Sequence, residues 1–238
     1  MPQNFIQTNV FLSQQKKPVK EGTEFHAKDP MSALTHFIGF LMAIVATPLL
    51  LVKAASNGKP SMDLMGLAVF ALSMIFLYGA SASYHAFILS TERRNMVLKK
   101  MDHMMISILV AGTYTPLCMT VLKDNGGMVL LTIVWSLAVS AILFKAFWVT
   151  CPKWVSSIIY LLMGWAVAPY MGTVYRLFPH TAFGLLLAGG IAYTIGAIVY
   201  VFRIPPRSYK GFGSHEVFHL FVMLGTILHF LMIYNYIA

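Results

Sequence analysis

Charged residues are scarce in this chain. Only 11% of its 238 residues are Asp, Glu, Lys or Arg, whereas a soluble domain carries about 25%. Such a small number of charges cannot cover the surface of a water-soluble protein of this size. Cysteine is rarer still, with two residues, which excludes a small secreted domain held together by disulfides. The composition therefore leaves a membrane protein as the remaining class.

Apolar sequence takes the place of the missing charge, since 58% of the residues are hydrophobic and the mean hydropathy is +0.72. Seven apolar segments, each close to the roughly 20 residues that cross a bilayer core, follow a polar N-terminal tail. We therefore predict an all-α polytopic membrane protein, with a polar tail at residues 1–30 and a seven-transmembrane helix bundle at residues 31–238. The predicted spans are Ala33–Val52, Leu64–Phe87, His103–Leu122, Met128–Phe147, Trp154–Tyr175, Thr181–Phe202 and His215–Ile237.

The basic residues are distributed unevenly between the two sides of this predicted topology. Of the 17 basic residues, 13 fall on one side and four on the other. The positive-inside rule then places the N-terminus in the cytoplasm and, with seven spans, the C-terminus outside. The net charge of +9 is thus interpreted as a topology signal, and no nucleic-acid partner is expected. The 13 residues are Lys16, Lys17, Lys20, Lys28, Arg93, Arg94, Lys99, Lys100, Lys145, Lys153, Arg203, Arg207 and Lys210.

Ionisable side chains within membrane spans are costly and mark candidate functional sites. His85 ends the predicted second span, Asp102 opens the third, and His215 and His219 open the seventh. All four therefore lie at one membrane depth, on the predicted cytoplasmic side. His215 and His219 are four residues apart and share one helix face.

Two histidines one turn apart, with a third from another helix, form a three-ligand site whose open fourth position suits catalytic zinc. His85, His215 and His219 are therefore the predicted Zn²⁺ ligands. Asp102 is predicted to orient the metal-activated water or to accept its proton. Ser81, one turn before His85, is predicted to hydrogen-bond that water or to steady the ligands.

The same segment also permits a protease interpretation. His215–His219 matches the H-E-x-x-H signature, in which Glu216 would be the general base. A membrane-embedded protease of this type needs a further aspartate ligand in a later span, and no Asp follows Asp124. The protease is therefore the weaker interpretation.

Three other histidines are interpreted as structural. His229 lies 14 residues beyond His215, about 21 Å deeper along a helix, so it cannot share a metal with it. We expect His36 and His229 to be hydrogen-bonded contacts between helices, and His103 to be a hydrogen-bonded residue at the membrane interface.

Four groups of residues, in order along nearly the whole chain, match a known pattern. They are Asp29-Pro30 with Leu34-Thr35-His36, Ser81–His85, Met101–His103 with Ala111–Pro116, and His215–His219 with His229. In these motifs the chain resembles the hemolysin III family, the bacterial relatives of the progestin and adiponectin receptors. Many members carry Glu and Asn before the Thr-His of the first span, where this chain has Asp29 and Ser32, so the role of Asp29 is open.

This resemblance implies a seven-helix bundle with a cytoplasmic N-terminus and a bound zinc ion. It places zinc on His85, His215 and His219, with Asp102 and Ser81 at the metal-bound water. The wider group to which the family belongs is proposed to contain lipid amidases similar to alkaline ceramidases.

Three functions follow as hypotheses. The first is an intramembrane zinc hydrolase, whose substrate is a membrane lipid amide or ester. The second is a non-enzymatic receptor or sensor that takes a lipid as its ligand and has a structural zinc ion. The third is a hemolysin-type cytolytic protein, for which the sequence offers no amphipathic pore-forming segment.

Overall fold

The computed structural model describes residues 27–87, 91–206 and 212–238. Within these ranges, seven helical segments are long and apolar enough to cross a membrane. The predicted all-helical, seven-span fold is therefore confirmed, while the orientation of its termini stays a prediction. Most of the predicted tail lies outside the described residues, as do five members of the basic set, namely Lys16, Lys17, Lys20, Arg207 and Lys210.

The helices follow one another through short connections. They are α1 (Pro30–Ser56), α2 (Ser61–Ala86), α3 (Glu92–Pro116, continued by a π-helical turn at Leu117–Val121), α4 (Gly127–Phe147), α5 (Lys153–Gly164), α6 (Met171–Leu177), α7 (His180–Phe202) and α8 (Ser214–Tyr236). Helix α1 packs between α2 and α8, α2 packs on α3, and α7 packs closely on α8. This order brings the start of α1, the end of α2 and the start of α8 together at one end of the bundle, which we call the histidine end.

Helix α3 begins 11 residues before the predicted span. The Thr91 side chain caps its N-terminus by accepting a hydrogen bond from the Arg94 backbone N–H at 3.3 Å. The first turns carry arginines and lysines, so a search for apolar sequence does not detect them. Asp102 therefore lies ten residues inside the helix and is 8% exposed, while the point within α3 at which the membrane span begins stays a prediction.

The fifth span is broken. Helix α5 ends at Gly164, a short 3₁₀ turn covers Ala168–Tyr170, and α6 completes the crossing. Pro169 lies in that turn and has no N–H to continue a helix. The Tyr114 hydroxyl bridges the break, because it donates to the Gly164 carbonyl at 2.6 Å and accepts from the Val167 N–H at 3.1 Å.

Lys145, one of the 13 basic residues assigned to the predicted cytoplasmic side, lies inside α4 and is 1% exposed. Its ammonium group donates to Ser156 Oγ at 2.5 Å and to Cys151 Sγ at 3.1 Å, which ties the end of α4 to the start of α5. Cys151 and Cys118 are both free and buried.

Candidate metal centre

Three histidines meet at the histidine end of the bundle. His85 is contributed by the last turn of α2, and His215 and His219 by the first two turns of α8. One ligand atom from each ring lies within 4.8 Å of the other two. His85 Nε2 and His215 Nε2 are 3.2 Å apart, close to the roughly 3.3 Å between nitrogen ligands of a tetrahedral zinc ion.

Asp29, just before α1, fixes the orientation of the His85 ring. Its Oδ2 lies 2.9 Å from His85 Nδ1, and since a carboxylate accepts hydrogen bonds, Nδ1 carries the proton. His85 Nε2 therefore presents its lone pair to His215. A carboxylate behind a ligating histidine is a common feature of protein metal sites.

His219 has its own supporting contacts from α1. Its Nδ1 lies 3.4 Å from Thr35 Oγ1, and its ring stacks on His36 with the ring centres 3.6 Å apart. Both ring nitrogens of His36 lack a hydrogen-bond partner among the described residues. The expectation that His36 is a hydrogen-bonded contact is therefore wrong, because its ring packs against His219 and, edge-on, against Tyr78.

The hydrogen bonds expected of the other two structural histidines are confirmed, while the position of His103 at the membrane interface stays a prediction. His103 Nδ1 lies 2.9 Å from the Lys99 carbonyl and 3.1 Å from Asp102 Oδ2. His229 Nε2 lies 3.1 Å from the Leu186 carbonyl and so joins α8 to α7.

Asp102 and Ser81 lie beside the three histidines. The Asp102 carboxylate is buried, and both side chains border the same cavity as His215 and His219. The Ser81 hydroxyl neighbours Asp102, yet it makes no hydrogen bond of normal length to any other described residue. A buried hydroxyl with an unused hydrogen-bonding capacity suits a bound water or substrate atom.

Glu216 is turned away from the three histidines. One carboxylate oxygen accepts from Ser32 Oγ at 2.5 Å, and the other accepts from the Gly213 backbone N–H at 2.7 Å. Both oxygens are thus used to hold the start of α8 against α1. Glu216 therefore acts as a helix-capping residue. Its presence in the H-E-x-x-H match is accounted for by this role and does not require a protease.

A chamber of about 150 Å³ leads from the histidines into the bundle. It is enclosed by α1, α2, α3, α5, α7 and α8, and most of its wall is apolar. His215 and Asp102 border it at the histidine end, and His229 borders its far end. His85, His215 and Asp102 also border a groove at the end of the bundle, so the site lies between the chamber and this groove.

The donor set fits a zinc ion. It offers three imidazole nitrogens, one of them backed by the Asp29 carboxylate, and the adjoining cavity leaves room for a fourth ligand. Hence the structure brings together all five residues predicted for the site, namely Ser81, His85, Asp102, His215 and His219. That they bind zinc and act in catalysis stays a prediction.

Sequence reasoning missed the contribution of α1. His36 is the seventh residue of α1 and His219 the sixth residue of α8. The depth argument that grouped the other histidines would have included His36 as well. The sequence contains no comparable signal for the pairing of Asp29 with His85. These two residues come from different segments, the chain before α1 and the end of α2, and only the packing of the helices brings them together.

The family model described as "Haemolysin-III related" matches residues 25–230. The chain belongs to this haemolysin-III-related family. A hemolysin-3 homolog from Bacillus subtilis (strain 168) is 35% identical over 205 residues, which are 86% of this chain and 92% of that protein. Hemolysin-3 from Bacillus cereus is 33% identical over 215 residues, 90% of this chain and 94% of that protein.

The wider relationship reaches plants. The heptahelical transmembrane protein ADIPOR2 of Oryza sativa subsp. japonica is 26% identical over 184 residues, 67% of this chain and 79% of that protein. The haemolysin-III-related match covers α1 to α7 and most of α8. The site described above therefore lies entirely within the segment shared with the family.

Proposed function

We propose that this chain is an intramembrane zinc-dependent hydrolase that acts on a membrane lipid amide or ester. One observation carries the proposal. Three imidazoles converge where a largely apolar chamber meets the groove at the end of the bundle, with a buried carboxylate beside them and room for a water molecule as a fourth ligand. A structural zinc site is closed by four protein ligands, whereas a catalytic site keeps one position open.

The shape of the chamber supports a lipid substrate. An acyl chain fits its apolar wall, while the polar linkage remains at the histidine end beside Asp102. The groove bordered by Asp29, His85 and Lys153 opens at the end of the bundle and accommodates a polar headgroup. A substrate with one apolar and one polar part matches both regions.

The chemistry follows from the side chains around the open position. A zinc ion held by His85, His215 and His219 would polarise the carbonyl and make a bound water molecule the nucleophile. Asp102 accepts the proton of the attacking water as its oxygen bonds to the carbonyl carbon, and Ser81 orients that water. When the carbon–nitrogen or carbon–oxygen bond breaks, Asp102 returns the proton to the leaving group. The His103 contact holds the Asp102 carboxylate in place.

Metal analysis and lipid turnover on the purified protein test the proposal together. The wild type is expected to contain stoichiometric zinc, and His85→Ala and His219→Ala are expected to lose it. Asp102→Ala should keep zinc but lose about 10²- to 10⁴-fold in turnover of ceramide-like or other acyl lipids, the usual contribution of a general base.

The exposed His180, at the start of α7, provides the control, because His180→Ala should change neither zinc content nor turnover. Wild-type protein without zinc would contradict the metal centre. Zinc-loaded protein that turns over no lipid in such a panel, or that is unaffected by Asp102→Ala, would contradict the hydrolase.

A receptor or sensor with structural zinc is the second candidate. The name of a Drosophila melanogaster relative, adiponectin receptor protein, 21% identical over 223 residues, favours it. Removal of zinc should then lower the thermal stability while no lipid is consumed. Cytolysis is the third candidate and rests on the names of the two Bacillus relatives, and lysis of liposomes by the purified protein would test it.

A further inference from the structure

The far end of the chamber contains polar side chains, and nearly all of their hydrogen-bonding groups are used within the protein. Each of these side chains makes a hydrogen bond of normal length to another group of the protein, so it offers little to a ligand. The pairs are Thr113 with the Leu109 carbonyl, Tyr114 with the Gly164 carbonyl, Trp165 with Thr194, and Tyr193 with Thr226.

His229 is the exception among the described residues that line this end. Its side chain is 92% buried, and Nδ1 has no hydrogen-bond partner. Because Nε2 faces the Leu186 carbonyl, Nε2 carries the proton and Nδ1 has a free lone pair. The ring packs directly against Gly189, where a Cβ would overlap His229 Cδ2, and this contact together with the Leu186 hydrogen bond holds the ring in place. The protein thus holds an unused hydrogen-bond acceptor in a fixed position.

We propose that the far end of the chamber is a subsite for a hydroxyl group on the tail of the bound lipid. The hydroxyl donates to His229 Nδ1, and the rest of the tail lies along the apolar wall. An unpaired buried acceptor costs about 1–3 kcal/mol, so a ligand that supplies a donor binds more tightly than one that does not. The inference rests on the proposed function only in placing the lipid head at the histidine end.

The spacing along α8 defines the position of the hydroxyl. His219 and His229 both border the chamber and are ten residues apart on one helix, which corresponds to about 15 Å along its axis. The ligand class is therefore a lipid whose hydroxyl lies about that distance from the head group. Shorter tails do not reach His229, and a hydroxyl close to the head group has no acceptor of this kind.

Competition binding on the purified wild-type protein tests the subsite, with a fluorescent fatty acid as the displaced probe. Fatty acids of increasing length that carry a terminal hydroxyl are compared with the methyl ethers of the same lengths. At the length that reaches His229, the hydroxy acid should bind about fivefold more tightly than its ether, the affinity difference of one hydrogen bond. His229→Phe should abolish this preference.

Tyr193→Phe is the matched control, because the Tyr193 hydroxyl borders the same chamber but is paired with Thr226. It should retain the preference. Equal affinities of hydroxy acid and ether for the wild type at every length would overturn the subsite, even if His229→Phe fails to fold. Because binding needs no hydrolysis, the two proposals fail separately. A preference for the hydroxy acid without lipid turnover would contradict only the hydrolase. Lipid turnover without that preference would contradict only the subsite.

Discussion

The two ring nitrogens of His85 have separate roles. Nδ1 is paired with the Asp29 carboxylate at 2.9 Å, and Nε2 faces His215 at 3.2 Å. Asp29 thereby selects the tautomer whose lone pair points toward the candidate metal. A negative charge behind the ring also makes Nε2 a stronger ligand. We therefore expect Asp29, which does not touch the candidate metal position, to tune the metal affinity of the site.

Asp29→Ala is therefore expected to weaken zinc binding by about 10- to 100-fold, the usual effect of removing such a partner. Asp29→Asn, which keeps an acceptor without the charge, should have an intermediate effect. Competition with a chelator of known affinity measures the change. Asp124, exposed in the turn after α3, is the control, and equal losses in Asp29→Ala and Asp124→Ala would contradict the role given to Asp29.

The spacing of the histidines could be predicted from the chain, but their surroundings could not. His215 and His219 share a helix face in any helix, and the depth of His85 follows from counting residues along its span. The Asp29 pairing and the His36 stacking depend on how α1 packs beside α2 and α8, which periodicity does not define. The same holds for Ser32, whose hydroxyl contacts Glu216.

The interruption between α5 and α6 shows how one helix compensates for a break in another. A broken helix in a membrane leaves backbone groups that water cannot satisfy. Here the Tyr114 hydroxyl from α3 donates to the Gly164 carbonyl and accepts from the Val167 N–H. One side chain thus pairs two backbone groups at the break, and the same tyrosine borders the chamber.

Tyr114→Phe keeps the ring but leaves both backbone groups unpaired. We expect it to destabilise the protein by about 2–3 kcal/mol, because each buried unsatisfied group costs about 1–3 kcal/mol. Thermal unfolding in detergent would measure this as a lower midpoint. Tyr175→Phe, at a half-exposed tyrosine of α6, should leave the midpoint nearly unchanged. Equal midpoints for the two variants would show that Tyr114 does not support the break.

At the level of helices, hydropathy predicted the number and order of the spans. It failed where a helix contains charge, as in the first turns of α3, and where an apolar segment is not one helix, as in α5 and α6. In both cases the cause is local: capping by Thr91 extends α3 into polar sequence, and Pro169 interrupts the fifth span. Length and apolar composition contain neither signal.

The whole molecule has two unlike ends. The histidine end contains the candidate metal centre. Besides the buried Lys145, the basic residues described there are Lys28, Arg93, Arg94, Lys99, Lys100, Lys153 and Arg203. The buried Lys145 is hydrogen-bonded to Ser156 and Cys151. It is therefore weaker evidence for the orientation than a basic residue in a connecting loop. The remaining bias still predicts that the histidine end faces the cytoplasm. In this orientation the proposed lipid hydrolase would take its substrate from the inner leaflet.

Cysteine labelling in intact cells tests this orientation. In a background with Cys118→Ala and Cys151→Ser, a single cysteine is placed at Glu92, exposed at the histidine end, or at Asn125, exposed at the opposite end. A membrane-impermeant maleimide should label Asn125→Cys in intact cells and Glu92→Cys only after permeabilisation, because basic connections remain in the cytoplasm. Both positions lie outside the apolar chamber, so labelling reports on orientation rather than on ligand access. The reverse pattern would place the metal centre on the outer face, where the substrate comes from the outer leaflet and zinc from outside the cell.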